Sequence, residues 1–270
     1  MGSISNYLED KWVDHALNTA AFTQPTNIYV GLSTADPLDD ASGIAEPSGN
    51  NYSRVAHNTW DTAASRKTSN TGTITFNQCQ TGPWGTITHW FLCDHISNTT
   101  WGTNVNLLAH GSLATSKQVV VGNTPSFADD ELDISVNTSA STGGWADFIV
   151  HEMLDHTFKV GSYTAPTDLY FALYTVAPTD STNGTECTGN NYSRKQYTGT
   201  WSASSGGTSD NDAQILFATP SGTWGTVVAG AALDANTGNN ILFWVDVVEQ
   251  AVGSGDTVDF PAGDFDVSIS

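Results

Sequence analysis

The chain has 270 residues, with 28 acidic side chains against 8 basic, a formal net charge of -20 and a hydrophobic fraction of 39% that includes 9 Trp, 8 Tyr and 11 Phe. That length suits one large domain or two modest ones, the aromatic content supports a buried core rather than disorder, and the acidic balance excludes the basic footprint that nucleic acid requires. No stretch approaches the roughly 20 apolar residues of a membrane span, so no membrane partner is expected, and Met1-Gly2-Ser3-Ile4 lacks the basic-then-apolar build of a secretory signal.

Asn6 with Glu9 three residues on reads as a capping-box start, and Tyr7, Leu8, Trp12, Ala16 and Leu17 fall along one face of the helix that follows. Short alternating runs come next, over Ile28–Leu32, Thr73–Phe76, Thr86–Phe91, Val119–Val121 and Leu132–Val136, each bounded by Gly, Asn, Ser and Thr clusters. A second helical stretch carries Trp145, Phe148, Ile149, Met153 and Phe158. Many short strands after one helix fit a sandwich, because a parallel sheet would need helices between its strands.

The second half repeats the first. Asp14-His15 returns as Asp155-His156, Pro25-Thr26 as Pro166-Thr167, Trp60 as Trp201, and Trp84-Gly85-Thr86 as Trp224-Gly225-Thr226. Gly49-Asn50-Asn51-Tyr52-Ser53-Arg54 returns letter for letter as Gly189-Asn190-Asn191-Tyr192-Ser193-Arg194. An order that never changes marks an internal duplication. The expected organisation is therefore all-β: two tandem homologous β-sandwich domains of jelly-roll type, residues 1–136 and 145–270, each preceded by a short α-helix and joined by a polar linker over 137–144. Asn98–Asn104 is an insertion in the first copy, where the second has only Ala235–Gly238.

Catalytic signals are absent. His151 and His156 are five apart, so they diverge around a helix instead of stacking as zinc ligands, and the repeated Asp-His pairs read as helix-packing groups. The acidic runs at Asp36–Asp40, Asp129–Asp133 and Asp256–Asp259 match no calcium loop and read as solvated turns. Neither a nucleophile elbow nor a phosphate-binding loop occurs. Cys79, Cys93 and Cys187 form no even framework and read as small buried thiols. No catalytic residue, metal ligand or cofactor is assigned, and the protein is expected not to be an enzyme.

The residues singled out are structural: Tyr52, Arg54 and Trp84 with their counterparts Tyr192, Arg194 and Trp224. Only three arginines occur in the chain, and two of them share one place in the identical block. Each is expected to fork onto a carboxylate of its own domain; the alternative is that the pair faces a shell subunit. Acceptors that themselves repeat would be Asp14/Asp155, Asp94/Asp234 and Asp133/Asp266.

Taken together, the Ser5-Asn6-Tyr7-Leu8-Glu9 opening, the Asp-His pair, Pro-Thr-x-apolar-Tyr-x-x-Leu, Gly-x-x-Tyr-x-Arg and the Trp-Gly-Thr turn resemble a family of small virion surface proteins of tailed viruses of bacteria and archaea, tail-fibre-like or capsid-decorating. The resemblance covers both halves, here as a tandem duplication. It implies a non-enzymatic protein of the virion surface, made in the host cytoplasm. Its expected role is first a capsid decoration (cement) protein stabilising the shell; the alternative is a tail or tail-fibre protein that binds a host receptor or carbohydrate. The implied partners are the major capsid protein or tail proteins, with the chain as a homo-oligomer on the particle.

Overall fold

The computed structural model of the protein describes residues 2–136, 143–238 and 240–269. Its architecture is all-β, as expected, with two helices among those residues. The first repeat runs β1 (Gly2–Ile4), α1 (Asn6–Ala16), β2 (Tyr29–Ser33), β3 (Val55–Ala56), β4 (Lys67–Ser69), β5 (Ile74–Thr75), β6 (Gly85–Cys93), β7 (Leu107–Val119), β8 (Ser126–Phe127) and β9 (Asp133–Ser135). Ser5 rather than Asn6 caps α1: its Oγ accepts the Leu8 amide at 3.3 Å, and its carbonyl accepts the Glu9 amide. A capping box on Asn6 would start the helix one residue too late.

Seven strands form one sheet in the order β3-β2-β6-β7-β1-β9-β4. The long β6/β7 hairpin supplies most of it, with Gly85 opposite Val119 and Cys93 opposite Leu107. β1 then pairs antiparallel with β7 and parallel with β9. Ile4, Val30, Leu32, Ile87, Leu108 and Ile134 are buried in the core, each at most 3% exposed, while Phe91 packs in a separate cluster with Cys93, Val105 and Leu107.

The second repeat follows the same plan: β10 (Gly143–Trp145), α2 (Asp147–Thr157), β11 (Tyr170–Val176), β12 (Thr185–Glu186), β13 (Lys195–Gln196), β14 (Thr208–Asp210), β15 (Ile215–Leu216), β16 (Gly225–Leu233), β17 (Ile241–Val252), β18 (Asp259–Phe260) and β19 (Asp266–Ser268). Its main sheet has the order β10-β17-β16-β11-β12, with β13 also on β11, while β14 and β19 pair separately. Even the irregularities recur. The β6/β7 register shifts between Ile87 and His89, and the β16/β17 register shifts at the matching place, between Val227 and Ala229.

Two compact units result. One comprises Met1–Glu9, Thr23–Val136 and His151–Tyr163; the other comprises Asp10–Phe22, Asn137–Val150 and Thr164–Ser270. Each unit is thus one repeat that takes in a helical segment from the other repeat, a detail absent from the expected segments 1–136 and 145–270. Of the expected linker, residues 137–142 lie outside the described residues, and Gly143 and Gly144 belong to β10, where they pair with Val245 and Trp244.

Candidate functional site

The identical six-residue block folds identically in the two units. Gly49, Asn50 and Asn51 have φ of 68°, 52° and 67°, and Gly189, Asn190 and Asn191 have 71°, 48° and 68°. Three successive left-handed residues are tolerable only with Gly and Asn, which explains the retained letters. The turn closes through the Tyr52 amide on the Gly49 carbonyl, and the Tyr192 amide on the Gly189 carbonyl, both at 2.8 Å. It is tied to the sheet by the indole N–H groups: Trp84 donates to the Asn50 carbonyl at 2.9 Å and Trp224 to the Asn190 carbonyl at 3.0 Å.

The turn aims Tyr52 and Arg54 at one carboxylate. Arg54 Nε donates to Glu46 Oε1 at 2.9 Å and Nη2 to Oε2 at 2.8 Å, a bidentate fork. Tyr52 Oη donates to Glu46 Oε1 at 2.8 Å while accepting the Leu32 amide of β2 at 2.9 Å. Arg54 Nη1 reaches the His95 carbonyl at 2.7 Å and Cys93 Sγ at 3.3 Å. The second unit repeats the set: Arg194 Nη2 to Glu186 Oε2 at 2.9 Å, Nε to Oε1 at 3.0 Å, Tyr192 Oη to Glu186 Oε1 at 3.0 Å, and the Leu173 amide to Tyr192 Oη at 2.9 Å. Tyr52 and Trp84 meet edge to face at 5.1 Å between ring centroids, as do Tyr192 and Trp224.

Tyr, Arg and Trp therefore converge in each unit, but none of the aspartates proposed as acceptors takes part. Asp14 and Asp155 accept the Ser204 and Ala63 amides, Asp94 and Asp234 hold Asn106 and Asn240, and Asp133 pairs with Lys67. Asp266 stands opposite Asp210 in the β14/β19 pair. The acceptors do repeat, as Glu46 and Glu186, three residues before the Gly of each block. Their Glu-x-x-Gly spacing is the sequence signal that marks them.

Chemically, the site is closed. Burial pushes the Tyr52 and Tyr192 phenols far above their ordinary value, with Glu46 and Glu186 adding to the effect, so both remain protonated donors. Burial also pushes the Cys93 thiol up to about 12 and the Cys187 thiol up to about 11, which suppresses the thiolate at neutral pH. The Arg54 guanidinium is held ionised against its own desolvation by the Glu46 carboxylate. What the constellation does is pin a loop to a sheet.

The other residues weighed for chemistry serve backbone. His15 Nδ1 accepts the Phe22 amide at 3.2 Å and His156 Nδ1 the Tyr163 amide at 3.1 Å, so the repeated histidines tie down the chain leaving each helix. His151 Nε2 accepts the Arg66 amide at 3.0 Å. Asp40 holds the Ser42 amide at 2.9 Å, and those hydrogen bonds draw its carboxyl below the ordinary range. Among the described residues no group of three His, Cys, Asp or Glu side chains could hold a metal ion, and no helix is long and apolar enough to cross a membrane.

The model of the family described as Podophage GP4 fiber I protein gp80 matches the chain twice, over residues 3–135 and 144–268. The chain belongs to this family, with its unit present in tandem. A comparison with curated proteins finds no match.

Proposed function

We propose that this member of the podophage fiber I family is a non-enzymatic structural component of a tail fibre, exposed on the virion and attached through tail proteins. The observation that carries the proposal is the double family match over nearly the whole chain. The geometry supports it: the residues retained letter for letter are spent on the internal anchors Glu46-Tyr52-Arg54 and Glu186-Tyr192-Arg194, which leave the carboxylates paired and the thiols protonated. Selection for a rigid, repeated scaffold accounts for such a block better than selection for a reaction.

A shell-decorating role is the second reading. What favours it is that the two helices among the described residues are 11 residues long, too short for the sustained heptads from which long coiled-coil fibres are built. Gold-labelled antibody against the protein, applied to intact particles, separates the two. Label confined to the tail is the expected result, and label spread over the head would replace the fibre role with decoration. Adsorption of the purified protein to host cells tests the receptor-binding alternative.

A further inference from the structure

The distal part of each helix contacts the loop of the opposite repeat, and it does so at equivalent positions. In the first unit, Asp155 Oδ1 accepts the Ala63 amide at 2.7 Å and His151 Nε2 accepts the Arg66 amide at 3.0 Å. In the second, Asp14 Oδ1 accepts the Ser204 amide at 2.9 Å and Asp10 Oδ1 accepts the Gly207 amide at 2.8 Å. Asp14 and Asp155 occupy the same place in the two repeats, as do Asp10 and His151, Ala63 and Ser204, and Arg66 and Gly207. Two acceptors four residues apart share one face of a helix, so each helix presents a matched pair to two amides of one turn. That turn is preformed in both repeats by two successive left-handed residues, Ser65 and Arg66 at 51° and 61°, and Gly206 and Gly207 at 61° and 70°. Phe158, fully buried, adds a ring contact of 4.9 Å with Trp60 of the same loop.

We propose that this reciprocal exchange makes the chain a covalently joined dimer of repeats: the loop Trp60–Arg66 and its counterpart Trp201–Gly207 are docking sites whose occupant is the helix of a second copy of the repeat. One repeat alone leaves its loop amides without their helix acceptors and, in the first unit, the ring of Trp60 without Phe158. Exposing apolar ring surface to water is costly and the helix acceptors stand ready-placed for the loop amides, so a single repeat completes itself by pairing with another. The tether then raises the effective concentration of the partner and does not hold the halves together by itself.

Two experiments on the full chain test this. A protease site inserted between Ser139 and Ala140 allows the folded protein to be nicked. The two fragments are expected to elute together at the intact mass and to separate only in denaturant, and Asp14→Ala with Asp155→Ala should speed their separation at least tenfold. Separation of the unsubstituted fragments in native buffer, folded or not, overturns the proposal. The second experiment bridges introduced cysteines with a short bis-maleimide and maps the linked peptides by mass spectrometry. The pair Ala63→Cys with Asp155→Cys is expected to link, and the pair Ala63→Cys with Asp14→Cys is not. The opposite outcome places each helix on its own repeat and removes the exchange.

Discussion

The two anchors differ in what surrounds the same ion pair. Arg54 has a side chain 2% exposed, against 11% for Arg194, and Glu46 is 15% exposed against 24% for Glu186. A substitution and an insertion make the difference. Phe91 lies 5.4 Å from the Arg54 guanidinium, whereas Ala231 stands at that strand position in the second unit. Room for the Phe91 ring comes from the strand opposite: it faces Gly31, where a Cβ would lie 2.1 Å from the ring, whereas Ala231 faces Ala172. Trp101, at 5.0 Å from the guanidinium, meets Phe91 edge to face at 5.6 Å and belongs to the inserted loop, which has thirteen residues between β6 and β7 against seven between β16 and β17. Duplication kept the charged fork and altered its cover, so the polar geometry is the common requirement and the aromatic cover is local.

The largest expected effect follows from removing the guanidinium. Arg54→Met should destabilise the first unit by about 3–5 kcal/mol, because Glu46 and the His95 carbonyl are left without their donor in a dry site. Arg194→Met should cost less, about 1–3 kcal/mol, since solvent reaches Glu186 and replaces part of the lost bonding. Urea unfolding of each variant, followed by near-ultraviolet signals, measures both. Equal costs would show that burial by Phe91 and Trp101 is irrelevant to the pair.

A smaller effect sharpens the same point. Trp101→Ala removes one aromatic face from Arg54 and should itself cost about 0.5–2 kcal/mol, the range for a cation over an aromatic ring between exposed and desolvated settings. In that background Arg54→Met should become cheaper, approaching the cost of Arg194→Met. A double-mutant cycle over Trp101 and Arg54 reads the coupling directly, and additive costs would assign the burial of Arg54 to Phe91 alone.

Much of this was legible in the letters, and the reasons for the rest are physical. The duplication, the all-β class and the Tyr-Arg-Trp grouping were visible because exact repetition survives drift only where backbone conformation or a charged fork demands it. β7 was not visible beyond its end: Gly111-Ser112-Leu113-Ala114-Thr115-Ser116-Lys117-Gln118 has small and polar residues without an apolar alternation, and it is a strand because β6 supplies its partners from Thr86 to Trp90. Glu46 and Glu186 also repeat, and the common Glu-x-x-Gly spacing before the identical block marks them. The helix exchange leaves no trace in a single sequence, since Asp14 and Asp155 would cap a turn equally well in either repeat.

The smallest expected effect has opposite signs in the two units. In β4/β9 of the first, Ser69 stands opposite Asp133, and Lys67 reaches Asp133 at 2.8 Å. In β14/β19 of the second, Thr208 replaces that lysine and Asp210 replaces that serine, so Asp210 faces Asp266 with no cation supplied at Lys67's position. Burial first, then the hydrogen bond and charge of Asp210, raise the Asp266 carboxyl above its ordinary value. A carboxyl raised on folding holds its proton to higher pH than the unfolded chain does. Its contribution is therefore complete below the unfolded value, near about pH 4, and is lost as pH rises through the folded value. At pH 7 two like charges remain across the strand pair, a destabilising arrangement of about 0.2–1 kcal/mol. Asp266→Asn should accordingly stabilise the protein by that amount at pH 7 and by nothing below about pH 4, where the aspartate is already neutral. Asp133→Asn should instead destabilise by less than about 1 kcal/mol at pH 7, because it deprives the half-exposed Lys67 of its partner. Both effects should shrink as salt shortens the screening length. Melting curves of the two variants at pH 7 and pH 3.5 decide the matter. A shift of the same sign for both at pH 7 would mean that neither the lysine in the first unit nor the second acid in the other unit governs its strand pair.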